Sequence, residues 1–354
     1  MLHDLRLQGF RSYTDDSFEF DPGVNIIVGP NASGKTNLLE ALLFLATGSS
    51  YRARDRDVVA HQADWGRLDS NYNHGIRTVK LQVNEVSNRV EKSFEMDGLT
   101  IKRLQLADTL PVVVFEPSHL QLLTGSPERR REFLDGILAR TRPGFTQLLR
   151  QYTRTLAQRN ALLKQRSGSR DQLFAWNIRI SELGGRIAEQ RIELTTTLNQ
   201  TIEQHYREVS GGSQTVEVTY QSECGSESYG SSMLRKLERH EEQDFARGFT
   251  GFGPHRDDMA MMFNGRGLNE AASRGEVRTL LLGLKILELK LIEKARDQKP
   301  LLLLDDVFSE LDGARRRALT DFLKGHQTFI TTTDADVVVE HFMQSCRVIP
   351  VSSR

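Results

Sequence analysis

The chain has 354 residues, of which 38% are hydrophobic and 27% charged, so we expect a globular protein of two lobes or one core with a large insertion. No segment has the apolar length of a membrane span or a signal peptide, and two cysteines are too few for a disulfide framework or a zinc site, which favours a cytoplasmic protein. The 47 basic and 47 acidic residues cancel, so any nucleic-acid surface must be a local patch.

The first predicted elements lead into a glycine-rich loop. Residues 5–10 alternate between apolar and polar and predict an edge strand, and residues 24–28 predict a short buried strand. A helix is predicted over residues 37–45. Between strand and helix, residues 29–36 fit the phosphate-loop pattern G-x-x-x-x-G-K-[ST]. The residues expected to bind a nucleotide here are Gly29, Pro30, Asn31, Ala32, Ser33, Gly34, Lys35, Thr36 and Asn37.

This loop suits a nucleoside triphosphate. Its glycines let the backbone wrap round an anion with N–H groups pointing inward, and the start of the helix adds positive potential. We expect Lys35 to reach the outer phosphates and act in catalysis, and the Thr36 hydroxyl to bind Mg²⁺. A chance glycine-rich turn is disfavoured because a predicted strand precedes the motif and a predicted helix follows it.

The next segments predict more of the same lobe. Residues 48–56 form a basic loop, in which either an arginine folds back onto the nucleotide or the charges are simply solvated. Residues 76–103 predict an antiparallel meander with a hairpin turn at Asp97-Gly98. Residues 111–115 are continuously apolar, as expected of a central parallel strand.

The character of the chain changes at Ser126, which predicts a helix start with a capping hydroxyl followed by proline. The pattern typical of helices continues to about residue 206, with breaks at Pro143-Gly144 and at residues 167–169. Between residues 126 and 170, eleven Lys or Arg face three acids, a local excess of +8. Charge of one sign favours a polyanion-binding surface over an ordinary solvated face. The predicted DNA contacts are Arg129, Arg130, Arg131, Arg150 and Arg154.

A second anion site is predicted near residue 273. Ser273, Gly275 and Glu276 immediately precede a strong helix over residues 279–295. A helix N-terminus attracts anions, although a simple N-cap would also explain the serine. Because one nucleotide with one phosphate loop has little need of a second such site, we expect this helix end to face the nucleotide of another subunit.

The acidic half of the site is predicted at the end of residues 300–304, an apolar strand. Asp305 and Asp306 follow it directly, where phosphoryl-transfer sites hold a carboxylate for Mg²⁺ and a group that positions water. We assign Asp305 to the metal and Asp306 to the catalytic water. Residues 329–334 predict the next strand, with polar residues at its end, where open α/β sheets bind ligands.

Together these segments resemble the ATPase head of the ABC/SMC superfamily and, within it, the RecF family of bacterial recombination mediators. The resemblance covers residues 5–336. The segments that carry it, besides the phosphate loop, are Phe10-Arg11-Ser12-Tyr13, Ser126-Pro127-Glu128-Arg129-Arg130-Arg131, Phe133-Leu134-Asp135, Gly253-Pro254-His255-Arg256-Asp257-Asp258 and Leu304-Asp305-Asp306.

The resemblance implies an α/β fold. Residues 1–125 and 246–354 would form a P-loop ABC-type ATPase head with a mostly parallel sheet plus an antiparallel meander. Residues 126–245 would form an inserted, mainly helical arm. Within the head, Arg11 and Tyr13 are candidate contacts for the adenine.

The resemblance also implies an ATP- and Mg²⁺-dependent homodimer, in which Ser273, Gly275 and Glu276 of one copy close on the γ-phosphate held by Lys35 of the other. It implies binding of double-stranded and gapped DNA, with single-stranded DNA as a further candidate, and cooperation with RecR and RecO to load RecA. The base at Asp306 is shorter than the usual glutamate, and Thr333 stands at the place of a switch histidine. We therefore expect slow hydrolysis that times DNA release.

Three other functions remain open from the residues alone. The ATP-binding subunit of an ABC transporter is the main alternative, although the basic helical arm disfavours it. A structural SMC-type protein needs long unbroken heptads, which this insertion lacks. A small-molecule kinase would need an acceptor pocket, for which the sequence holds no signature.

Overall fold

The computed structural model describes residues 1–73, 75–84, 89–165, 170–334, 338–340, 342 and 346–352. The chain divides into two compact units, residues 1–117 with 292–354, and residues 118–291. The strands of the described residues are β1 Asp4–Phe10, β2 Tyr13–Glu19, β3 Val24–Val28, β4 Trp65–Tyr72, β5 Gly75–Asn84, β6 Arg89–Met96, β7 Leu99–Ile101, β8 Val112–Phe115, β9 Val216–Gln221, β10 Asp258–Phe263, β11 Arg266–Gly267, β12 Leu301–Asp305, β13 Thr328–Thr332 and β14 Cys346–Pro350. Their helices are α1 Lys35–Thr47, α2 Asp55–Val58, α3 Leu120–Thr124, α4 Pro127–Thr141, α5 Phe145–Lys164, α6 Arg170–Ser210, α7 Tyr229–Arg239, α8 Glu241–Arg247, α9 Leu268–Ala271, α10 Arg274–Arg296 and α11 Gly313–Leu323.

The first unit contains two sheets. Five parallel strands lie in the order β14-β3-β13-β12-β8, and six antiparallel strands lie in the order β2-β1-β4-β5-β6-β7. Strand β13 is buried at all five positions, as expected of a parallel sheet covered on both faces. The strands β3, β12 and β13 are neighbours and parallel, so their carboxyl ends share one edge, where the phosphate loop and the two acids meet.

Most predicted elements of this unit are confirmed, and two predicted strand positions are wrong. The predicted meander is present, and its Asp97-Gly98 turn has the positive φ of both central residues, 51° and 83°, that such hairpins require. Strand β1 is not an edge strand, because it pairs with both β2 and β4. Strand β8 is parallel but lies at the edge of its sheet. Apolar patterning reports which faces of a strand are covered and gives no information on whether both of its edges are paired.

The second unit is built from α3 to α9, most of α10 and a three-stranded sheet in the order β11-β10-β9. One apolar cluster runs through it, from Leu122 to Leu287. The break at Pro143-Gly144 is confirmed, since α4 ends at Thr141 and Gly144 has a φ of 81° before α5. The break predicted at residues 167–169 lies outside the described residues. Ser126 does occupy the N-cap of α4, but its side chain makes no capping hydrogen bond.

The compact units have other boundaries than the head and arm expected from the resemblance. Residues 246–291, which include Ser273, pack within the second unit rather than the first. The functional division into head and arm remains a prediction. Within the described residues, no helix has the length and apolarity to cross a bilayer.

Candidate nucleotide-binding site

The loop between β3 and α1 has backbone geometry that its sequence imposes. Gly34 has a φ of 103° and Ala32 a φ of 64°, so the chain turns back on itself before the helix. A side chain at Gly29 could not be accommodated, because its Cβ would lie 2.2 Å from the carbonyl oxygen of Val351. The loop therefore needs glycine at the two fixed positions of the phosphate-loop pattern for steric and conformational reasons.

The side chain of Lys35 lies on the inner side of this loop. Its Nζ donates to the carbonyl oxygens of Gly29 at 2.7 Å and Pro30 at 2.8 Å. Ser33 is 2% exposed, and its buried Oγ has no hydrogen-bond partner among the described residues. The loop thus holds an inward-facing ammonium group and an unused buried hydroxyl, a combination suited to binding phosphate oxygens.

The end of β12 meets the loop at Thr36. The Thr36 Oγ1 donates to Asp305 Oδ1 at 3.0 Å, and Thr331 Oγ1 of β13 donates to the same oxygen at 2.7 Å. The neighbouring Asp306 has a φ of 52° and a buried Oδ1 with no partner among the described residues. A hydroxyl beside a carboxylate supplies the oxygen donors that Mg²⁺ prefers, so the residues present fit this ion.

Two residues that were not predicted from the sequence, Glu116 and Tyr51, lie on the Asp305 side of the site. The pairing of β12 with β8 aligns Leu304 with Phe115, which brings Glu116 next to Asp305 on the same face of the sheet. Burial raises the pKa of the Tyr51 hydroxyl, and the carboxylates of Glu116 and Asp305 raise it further. Glu116 follows an apolar strand just as Asp305 does, and that signal could have identified it.

Tyr51 reaches the site because its loop is anchored to α1. Glu40 is fully buried and accepts hydrogen bonds from Ser50 Oγ at 2.5 Å and from Arg11 Nε at 2.7 Å. The loop is therefore anchored against α1, and the Asp305 carboxylate acts on the pKa of the Tyr51 hydroxyl. An arginine of this loop on the nucleotide stays a prediction. The two candidate adenine contacts, Arg11 and Tyr13, form contacts within the protein. Arg11 pairs with Glu40, and Tyr13 is fully buried and donates its hydroxyl hydrogen to the Gly34 carbonyl oxygen at 3.0 Å.

Ser273 and Glu276 form a reciprocal cap at the start of α10 in the second unit. Ser273 N and Oγ donate to Glu276 Oε2 at 2.8 and 2.7 Å, and Glu276 N donates to Ser273 Oγ at 3.3 Å. This is the capping box that a helix start of this sequence predicts. Both side chains therefore cap the helix. Gly275 lies between them in sequence, within the first turn of the helix.

The five candidate DNA-contact arginines fall into two groups. Arg130 forms a bidentate ion pair with Asp258, and Arg131 Nη1 donates to the carbonyl oxygen of Asp257 at 2.8 Å. The exposed group consists of Arg129, Arg150 and Arg154. Arg150 and Arg154 are four residues apart on α5, so they share one face of that helix.

Acids from elsewhere in the second unit balance part of the local excess of +8. Arg140 pairs with Glu288 at 2.5 Å, Arg142 with Glu193 at 2.6 Å, and the fully buried Arg159 with Asp244 at 2.8 Å. These partners lie outside residues 126–170, which a count over the segment cannot include. The cationic surface is therefore smaller than the sequence indicates.

Comparison with known proteins gives one consistent result. Residues 1–353 match the family model described as RecF/RecN/SMC N terminal domain. The DNA replication and repair protein RecF of Lachnoclostridium phytofermentans is 33% identical over 356 residues, covering 99% of this chain and 98% of that protein. A solved structure of the recombination mediator protein RecF with ATPrS in the RecFOR pathway superposes with a TM-score of 0.85 at 29% identity, covering 94% of this chain and 92% of the other. The corresponding RecF-ATP structure gives a TM-score of 0.83 at 28% identity, with the same coverage.

Proposed function

The chain belongs to the RecF family, and we propose that it is an ATP-dependent DNA-binding protein of replication and recombinational repair. The observation that carries this proposal is the contact between Thr36 of the phosphate loop and Asp305 at the end of β12. It joins the two halves of a nucleoside triphosphate site in the first unit. Relatives named DNA replication and repair protein, and a RecF structure with ATP, support the choice of ATP and DNA.

ATP binds residues 29–37, with Lys35 on the outer phosphates. Thr36 and Asp305 hold Mg²⁺, which when bound offsets the negative charge of the phosphates. Asp306 orients the attacking water as the catalytic base. Because its side chain is one methylene shorter than glutamate, we expect slow hydrolysis that limits the lifetime of the bound state rather than a rapid mechanical cycle.

The nucleotide acts by closing two copies of the chain. Ser273, Gly275 and Glu276 at the start of α10 in one copy bind the γ-phosphate held by the other. The dipole of the helix gives its N-terminus a positive potential that attracts such an anion. ATP occupancy is thereby converted into dimerisation, and hydrolysis reverses it.

The closed dimer binds double-stranded DNA and gap junctions. Arg129, Arg150 and Arg154 contribute exposed phosphate contacts, whereas Arg130 and Arg131 support the fold of the same helix. Cooperation with RecR and RecO in loading RecA completes the proposed role, in line with the RecFOR pathway given for the solved relatives. Membership of the RecF family leaves no basis for the transporter alternative.

The test is equilibrium binding of duplex, gapped and single-stranded oligonucleotides by the full chain with ATP, with ADP and without nucleotide. We expect tight binding of duplex and gapped DNA only with ATP. Equal affinity in all three nucleotide states, or no DNA binding in any, would overturn the proposal.

A further inference from the structure

Nearly every polar group of the segment Gly253–Asp258, in the second unit, contacts another part of the protein. Gly253 has a φ of 133°, and a Cβ there would lie 2.6 Å from the Tyr152 hydroxyl. The polar groups that contact neighbours are the Pro254 carbonyl with Arg191, His255 with Tyr152, Asp257 with Tyr220 and Tyr229, and Asp258 with Arg130. Arg256 is the exposed side chain of this otherwise packed segment.

Arg256 stacks on an exposed aromatic ring. Its guanidinium carbon lies 4.9 Å from the centroid of Phe249, whose side chain is 38% exposed. The backbone on either side of Phe249 is fixed, because Gly248 caps α8 in a left-handed conformation and Thr250 is fully buried. Thr250 N donates to Asn160 Oδ1 at 2.8 Å and its Oγ1 accepts from Arg159 at 2.8 Å. An exposed phenylalanine is therefore held rigidly in place.

Other cations lie beside this ring. Arg247, two residues before Phe249, is exposed, and the exposed Lys164 approaches Gly248 closely enough that a Cβ there would lie 3.4 Å from Lys164 Cγ. None of the ion pairs among the described residues involves Arg247, Arg256 or Lys164. We name Phe249, Arg256, Arg247 and Lys164 the Phe249 patch.

The acids nearest in sequence do not neutralise the Phe249 patch. Asp244 is buried against Arg159 at 2.8 Å. Glu241 and Glu242 lie at the start of α8, whereas the patch lies at its end, about 9 Å away along a helix that rises 1.5 Å per residue. The patch thus combines free positive charge with an accessible aromatic face.

We propose that the Phe249 patch holds an unpaired DNA strand, with one base stacked on Phe249 and the adjoining phosphates bound by Arg256, Arg247 and Lys164. Single strands are bound by aromatic platforms flanked by cations, because every unpaired base offers a π-face. Bases in a duplex are already stacked on each other, so Phe249 favours the unpaired strand over the double helix. The proposal rests on the proposed DNA binding and assigns the single-stranded side of a gap to this patch.

The test compares Phe249→Ala and Arg256→Gln with wild-type protein, using oligo(dT) and a blunt duplex over a range of salt concentrations. We expect Phe249→Ala to weaken oligo(dT) binding roughly tenfold and to leave duplex binding within about twofold, since stacking is lost only with unpaired bases. Arg256→Gln should also lower the salt slope for oligo(dT), by about 0.7 for one lost phosphate contact.

The matched controls use exposed residues outside the Phe249 patch. Phe174→Ala and Arg266→Gln should leave oligo(dT) binding unchanged, and Phe249→Tyr, which keeps an aromatic ring, should retain wild-type affinity. Thermal denaturation checks that each variant is folded. Equal losses on both DNAs, or no loss on oligo(dT), overturn the proposal. Absence of DNA binding by the wild-type protein instead overturns the function on which it rests.

Discussion

Arg130 of α4 and Asp258 at the start of β10 form a bidentate ion pair, with Nε–Oδ1 at 2.7 Å and Nη2–Oδ2 at 2.8 Å. The remaining Nη1 donates to the carbonyl oxygen of Gly125 at 2.7 Å. The guanidinium is thus occupied on all sides and is 13% exposed. Neighbouring arginines of α4 therefore differ in role. Arg130 stabilises the fold through this ion pair, whereas Arg129 is exposed.

This division predicts opposite phenotypes for neighbouring arginines. Arg129→Gln should weaken DNA binding at all sequences and lower the salt slope by about 0.9, with an unchanged denaturation midpoint. Arg130→Gln should destabilise the fold by about 1–3 kcal/mol, because Asp258 loses its partner in a partly buried site. Urea denaturation and binding at several salt concentrations distinguish the two. If Arg130→Gln alters only the salt slope, Arg130 is a phosphate contact after all.

The buried pair of Arg159 and Asp244 predicts a large asymmetric effect on stability. Neither side chain is more than 1% exposed, so Asp244→Asn strands a buried guanidinium and should cost about 3–5 kcal/mol. The double variant Arg159→Met/Asp244→Leu should be less destabilised than Asp244→Asn, because no charge remains buried. Urea denaturation measures both. A double variant as unstable as the single one would mean that the packing of this pair, rather than its charge, is decisive.

His255 predicts a loss of stability in acid. Burial lowers its pKa to about 4, and Arg256 and Arg131 contribute to the same direction. The unfolded chain, with a histidine pKa of about 6.5, binds a proton that the folded chain excludes, so this group destabilises the fold as pH falls through the window between those values. Between pH 8 and pH 5 the loss is about 2 kcal/mol from this residue. Denaturation at both pH values should show a smaller difference for His255→Gln than for wild type, whereas exposed His61→Gln should match wild type.

Lys35→Arg tests the chemistry of the phosphate loop. The longer guanidinium keeps the positive charge and should preserve nucleotide binding, but it cannot take the position of an ammonium group held between the Gly29 and Pro30 carbonyls. We expect hydrolysis to fall below detection, measured as phosphate release beside equilibrium nucleotide binding. Turnover near the wild-type rate would remove Lys35 from the reaction.

The sequence predicted the nucleotide half of the fold well because its signals are local. The strand–loop–helix of the phosphate loop spans Val24–Thr47, and the apolar strand that ends in Asp305 is shorter still. The structure brings Thr36 and Asp305 together as expected. Turn positions such as Asp97-Gly98 were equally local. Backbone conformation and steric constraint at single residues determine these features.

The features that the sequence could not predict depend on contacts between distant residues. The acids that balance Arg140, Arg142 and Arg159 come from elsewhere in the chain, so counting charge within one segment overestimated the cationic surface. The approach of Tyr51 to Asp305 depends on the buried Glu40, which patterning would place as an ordinary helix acid. The interior position of β1 beside β4, and the edge position of β8 beside β12, likewise follow from pairing partners far along the chain.

The central claim, that each nucleotide is shared between two copies, is tested most directly by mixing two defective variants. Lys35→Ala removes the phosphate-loop cation, and Ser273→Arg blocks the start of α10, so neither variant alone should dimerise with ATP. A mixed pair keeps one complete site, made of Lys35 from one copy and Ser273 from the other. Sedimentation of the mixture should show an ATP-dependent dimer that ADP does not support. A mixture that stays monomeric with ATP, under conditions where wild type dimerises, would contradict the shared site.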